Sequence, residues 1–134
     1  MRYDPRLYMQ VTSTTYRYFG AVGGPIQVLA LLSSIVLAWL ARRDPSFRWV
    51  VAGSIALAVS LALWFWRVQP VNTAWFAALQ AGPAEAVTAY ERLRPRWEYG
   101  HSAAFAAWLL GFCLLLAASI RGMSPRIRQQ NHRG

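Results

Sequence analysis

Apolar positions along this chain fall into three long runs, about 18–41, 49–66 and 102–120, and none of them contains Asp, Glu, Lys or Arg. About 20 mostly apolar residues suffice to cross a bilayer as a helix. The pattern therefore predicts three spanning helices, the third covering 98–120 as a whole. Small residues recur every four positions in each: Gly20 and Gly24 with Ala30, Ser34 and Ala38; Ala52, Ala56 and Ser60; Ala103, Ala107 and Gly111. Such ridges let helix backbones approach closely in lipid, where packing drives association.

Between the first two runs stands Arg42-Arg43-Asp44-Pro45-Ser46. Asp-Pro stops one helix and starts the next, and so short a connection predicts an antiparallel hairpin. The stretch from Val68 to Trp97 is more polar. Pro70 is expected to end the second span, and Asn72 to cap a short helix over 73–81. Gly82 is placed to follow a helix end, and Pro83 to open a second short helix over 83–93 with Glu85 in its first turn. Pro95 is expected to open the third long helix. The predicted fold is all-α: an integral membrane helical bundle of three long spans, with two short interfacial helices between the second and third. Residues 1–121 form one membrane domain, and 122–134 a disordered basic tail.

Composition sharpens this reading. Of 134 residues, 56% are hydrophobic and only 14% charged, where soluble domains run near a quarter charged. The net charge of +9 rests on 14 cations, all of them Arg. In a soluble chain that would suggest nucleic acid. Here the arginines end apolar runs, where they anchor helices against lipid phosphates, and no nucleic-acid motif is present. The arginines divide evenly between the two sides of the expected topology, so the positive-inside rule does not orient the chain. One Cys, Cys113, leaves the redox compartment open. No nucleotide-binding or metalloprotease pattern occurs.

Candidate chemistry concentrates on the third helix. Trp97, His101, Phe105, Trp108 and Phe112 share one helical face, which can line a pocket for a flat aromatic ligand or simply pack against neighbours and lipid. His101 has the titration range of a general base. Glu98, three residues earlier, can orient it, or can pair with Arg94 instead. A histidine at the interface can equally serve only to bond a headgroup or a carbonyl. Asn72 can present its amide to a carbonyl or hydroxyl. One His and one Glu do not make a metal site, and no cofactor is expected.

Val71-Asn72-Thr73-Ala74-Trp75, Tyr90-Glu91-Arg92 and Arg96-Trp97-Glu98-Tyr99-Gly100-His101 together resemble the anthrone-oxygenase-like family of small membrane proteins. That family has four membrane helices, a V-N motif after the third and an R-W-x-x-x-H/N motif at the start of the fourth. Asn72, Trp97 and His101 match those positions. A second Asn common in the first motif is missing here, and Ala103 and Ala104 stand where an Arg often follows the second. Met1 falls inside the connector after the family's first helix, so either the chain has three spans or an upstream start adds a fourth. The family's four-span pattern also implies a cytoplasmic C terminus.

Two functions follow. The resemblance implies an enzyme of the cell membrane that oxidises an apolar aromatic substrate with O2 without metal or flavin. In that reading His101 is the base, Glu98 its orienter, Asn72 the oxyanion donor, and Trp97, Phe105 and Trp108 the substrate walls. The alternative is a non-catalytic scaffold or accessory subunit, packing against partner helices or its own copies. The expected partners are the lipid bilayer and, for the enzyme, an apolar aromatic small molecule.

Overall fold

A computed structural model of the protein describes residues 4–131. It is all-helical, with no strand among the described residues. The elements are α1 (Pro5–Leu40), α2 (Phe47–Leu63), a five-residue π turn (Trp64–Val68), α3 (Gln69–Ala81) and α4 (Pro83–Asn131). Three helical stretches are long and apolar enough to cross a membrane: Tyr18–Leu40, Phe47–Ala81 and Pro83–Gly122.

Local chemistry explains most boundaries. Asp4 accepts a hydrogen bond from the Leu7 N–H at 2.9 Å, and Pro5 stands at the first helical position, where its missing N–H costs nothing. The Asp-Pro turn forms where expected: Asp44 Oδ1 accepts from the Ser46 N–H at 2.8 Å and closes the link to α2. Gly82 adopts φ +140°, open only to a residue without a Cβ. It ends α3, while Pro83 opens α4 with Glu85 in the first turn, as the sequence predicts.

Three expectations for the connector need correction. Pro70 does not end a helix, because the chain passes from α2 through the π turn into α3 without leaving helical conformation. The Trp66 carbonyl, in the π turn four residues before Pro70, accepts from the Arg96 guanidinium at 3.1 Å. Asn72 is therefore not a cap; it lies inside α3. Nor does Pro95 open a helix. The short helix expected over 83–93 continues through Pro95 into the long one, giving a single α4. Pro95 and Glu91, four residues before it, are both exposed, so the carbonyl deprived of its partner lies on a face that solvent can reach. The backbone of α4 also stays helical to Asn131, where the sequence suggests a disordered tail from 122; residues 132–134 lie outside the described residues.

The contacts divide the chain into two compact units. The first contains the chain up to Ile26 and Leu61–Ala104. Its core is Met9, Val71, Trp75, Ala86, Ala89 and Tyr90, with Tyr8, Leu93 and Trp97 packed against it. The spacing of Val71 and Trp75 puts one face of α3 on this core, and Ala86, Ala89 and Tyr90 do the same for α4. The Trp75 indole N–H, buried with its ring, donates to the Ala89 carbonyl at 3.3 Å. Gly100 brings α4 close to the π turn: a Cβ there would stand 2.9 Å from that of Arg67.

The second unit contains Gln27–Ser60 and the chain from Phe105 onward. Here α2 and α4 meet at two glycines. A Cβ on Gly53 would lie 3.1 Å from the Gly111 carbonyl oxygen, and one on Gly111 would lie 3.0 Å from that of Gly53. Gly111 belongs to the predicted ridge. Gly53 does not, and Ala52 and Ala103, which do, are exposed.

Candidate functional site

Residues of the two sequence motifs meet in the first unit. Asn72, four residues into α3, accepts a hydrogen bond from the Trp97 indole N–H at 2.8 Å through Oδ1. That bond fixes the amide: turned over, two donors would face each other. The Asn72 Nδ2 group is buried and has no hydrogen-bond partner in the structure. A buried amide donor left unpaired costs about 1–3 kcal/mol, so it needs an explanation.

His101 packs on the same indole, with ring centroids 4.1 Å apart and planes tilted by 47°. Its Nδ1 lies 3.2 Å from the Trp97 carbonyl. A carbonyl only accepts, so Nδ1 is the donor, and in the neutral ring Nε2 carries the lone pair. The group that orients His101 is thus its own helix backbone. Glu98 is engaged elsewhere: its Oε1 accepts from Arg94 Nε at 2.7 Å and from the Tyr8 hydroxyl at 3.4 Å. The structure therefore realises the Arg94 pairing for Glu98.

A network of aromatic rings supports these groups. Tyr8 meets Trp75, Tyr90 and Trp97 edge-on at centroid distances of 6.0, 5.2 and 6.3 Å. Arg94 donates to the Tyr90 hydroxyl at 2.7 Å and lies over both tyrosine rings. Partial burial raises the Tyr8 pKa above its ordinary value, and the neighbouring Glu98 carboxylate adds to this. Tyr8, Trp75 and Tyr90 are not singled out as site residues by the sequence. Trp75 and Tyr90 carry the helical spacing of a buried face, which is the signal that would have found them; Tyr8 carries none.

The predicted substrate walls divide. Trp97 belongs to this cluster. Phe105 and Trp108 belong to the second unit, where Phe105 is exposed and Trp108 lies nearly parallel to Phe112 at 6.0 Å. The Trp108 indole nitrogen is buried without a partner in the structure. Among the described residues, no group of three or more His, Cys, Asp or Glu could hold a metal ion.

These features define a class: an all-helical protein with three helices long and apolar enough to cross a membrane, and a polar-aromatic cluster in its first unit. No family model matches the chain, and neither does any curated protein or solved structure.

Proposed function

We propose that the protein is a multi-pass protein of the cell membrane whose Asn72–Trp97–His101 cluster binds and oxidises a flat, apolar aromatic ligand, as the resemblance to anthrone oxygenases implies. The observation that carries this reading is Trp97 held between Asn72 and His101, with the Asn72 amide donor unspent. The chemistry asks little of the protein. A base takes a proton from the acidic methylene of an anthrone. The resulting carbanion passes electrons to O2 and forms a hydroperoxide, which loses water to leave the quinone. His101 Nε2 has the lone pair for the first step, and Asn72 Nδ2 the free N–H for the developing oxyanion. Trp97 supplies the stacking surface.

The test is quinone formation and O2 uptake by the purified protein in nanodiscs given an anthrone, against protein-free autoxidation. His101→Ala should abolish turnover. Asn72→Ala should weaken it by about ten- to a thousandfold, the range for losing one positioned donor. A wild-type rate equal to autoxidation ends the enzymatic reading.

A scaffold remains the second reading because of α1. Only 6% of its apolar window is buried, and a Cβ on Gly23 or Gly24 would meet nothing within 4 Å. Such a helix has room for a partner helix as well as for lipid. Crosslinking from cysteines placed at Gly23 and Gly24 in native membranes separates the two occupants.

A further inference from the structure

Two arginines of the first unit stand around one residue, Trp66. Arg67, in the π turn, lies over the Trp66 ring, its guanidinium carbon 4.8 Å from the ring centroid. Arg96, on α4, donates from Nη2 to the Trp66 carbonyl at 3.1 Å. Gly100 makes the approach possible: a Cβ there would stand 2.9 Å from that of Arg67. Gly100 follows Arg96 by one helical turn, and residues so spaced have Cβ atoms roughly 5–6 Å apart. The stems of Arg67 and Arg96 therefore start side by side on facing segments, and both residues are exposed.

No partner in the chain offsets these two charges. The Glu98 carboxylate is spent on Arg94, and among the described residues neither Arg67 nor Arg96 forms an ion pair. Arg67 makes no hydrogen bond there either, and Arg96 spends only the donor on Trp66, so most N–H groups of both remain to donate. Two like charges brought together repel, and an anion between them reverses the sign of that energy. Their place along the chain says which anion. Arg67 directly follows the apolar run 49–66, and Arg96 is the last cation before the run 102–120. Trp66 is 66% exposed, as a residue of an aromatic belt would be. In a membrane both guanidiniums then stand at headgroup level, where lipid phosphates are the abundant anions.

We propose that Arg67 and Arg96 form a binding site for one phosphate group, supplied by an anionic phospholipid. Each planar fork can present paired N–H groups to phosphate oxygens. Neither guanidinium has a carboxylate paired with it to meet a headgroup ammonium, so a headgroup of net negative charge is held in preference to a zwitterion. The site rests on the membrane reading of the chain and not on the oxidation at Asn72, Trp97 and His101. Lipid retention is measured without turnover, so either can fail alone.

The experiment is native mass spectrometry of the full chain released from detergent. It is offered in turn phosphatidylglycerol and phosphatidylcholine of identical chains, and inorganic phosphate. One retained phosphatidylglycerol per chain is expected, held about tenfold better than phosphatidylcholine. Arg67→Gln should cut that retention about tenfold, as losing one charge-assisted hydrogen bond would. It breaks no hydrogen bond among the described residues, so its effect reports binding and not folding. Arg96→Gln should lose at least as much. Arg43→Gln removes the same charge from an exposed position in the Asp-Pro link of the second unit and should leave retention unchanged. Equal retention of the two lipids by the wild type, undiminished phosphatidylglycerol on Arg67→Gln, an equal loss in Arg43→Gln, or inorganic phosphate held as well as the lipid would each overturn the assignment.

Discussion

The two units bury their interiors by different means. The first buries bulk: Trp75 and Met9 are fully inaccessible, and the rings of Tyr8, Tyr90 and Trp97 pack around Trp75. The second buries mostly small residues, with Gly53, Ser54, Ala56 and Ser60 beside Val50 and Leu57 on the covered face of α2 and Gly111 opposite Gly53. The first unit also contains four of the chain's five acids: Asp4, Glu85, Glu91 and Glu98. Where charges keep water near, burying large apolar rings is strongly driven. In hydrocarbon that drive is absent, and helices associate through close backbone approach. The first unit thus packs large rings, and the second brings helix backbones close together.

The most severe way to break the contrast is Trp75→Ala. Removing a fully buried indole should cost about 3–5 kcal/mol, and the loss should appear as a large fall in thermal stability in detergent. Tryptophan fluorescence of the remaining indoles would show whether the first unit has opened. If stability were unchanged, its core would not rest on Trp75.

Gly53→Ala and Gly111→Ala test the second unit. In an exposed helix interior this change stabilises by up to about 1 kcal/mol. Here the added methyl meets a facing carbonyl oxygen and the side chains of Leu115 or Leu57, so each variant should lose about 1–3 kcal/mol. The double variant should cost less than the sum, because one separation of the helices relieves both. The corresponding change at Gly23, which faces open space, should be neutral or stabilising.

Trp97→Phe sharpens the account of the first unit. It keeps a ring against His101 but removes the N–H that Asn72 accepts. A loss of about 1 kcal/mol in stability is expected and, if the cluster is the proposed site, weaker ligand binding with little change in turnover at saturation.

The smallest effect concerns Tyr8. Its folded pKa lies above the unfolded value, so its hydroxyl form is favoured by the fold. That contribution is complete below the unfolded pKa of about 10 and is lost as pH rises through the folded one. Tyrosinate absorbance should show a late-titrating tyrosine, and Glu98→Gln should bring it earlier by removing the neighbouring charge. A Tyr8→Phe variant with the same titration profile would show that another tyrosine is responsible.

The sequence by itself determined the three membrane-length apolar helices, the Asp-Pro link and the Gly82-Pro83 break. Each rests on local physics: the solvation of charge, a φ that Pro fixes, and a φ that Gly alone tolerates. It also marked Asn72, Trp97 and His101 as related. Only the tertiary structure decided what Pro70 and Pro95 do. A π turn, not a break, precedes Pro70, and the exposed face around Glu91 leaves its carbonyl, four residues before Pro95, within reach of solvent. The structure likewise tied Glu98 to Arg94 and Tyr8, and set Gly53 opposite the ridge residue Gly111, with Ala56 and Ser60 of the α2 ridge also covered. Those outcomes depend on which helix stands opposite, and spacing along one helix carries no information about its neighbour.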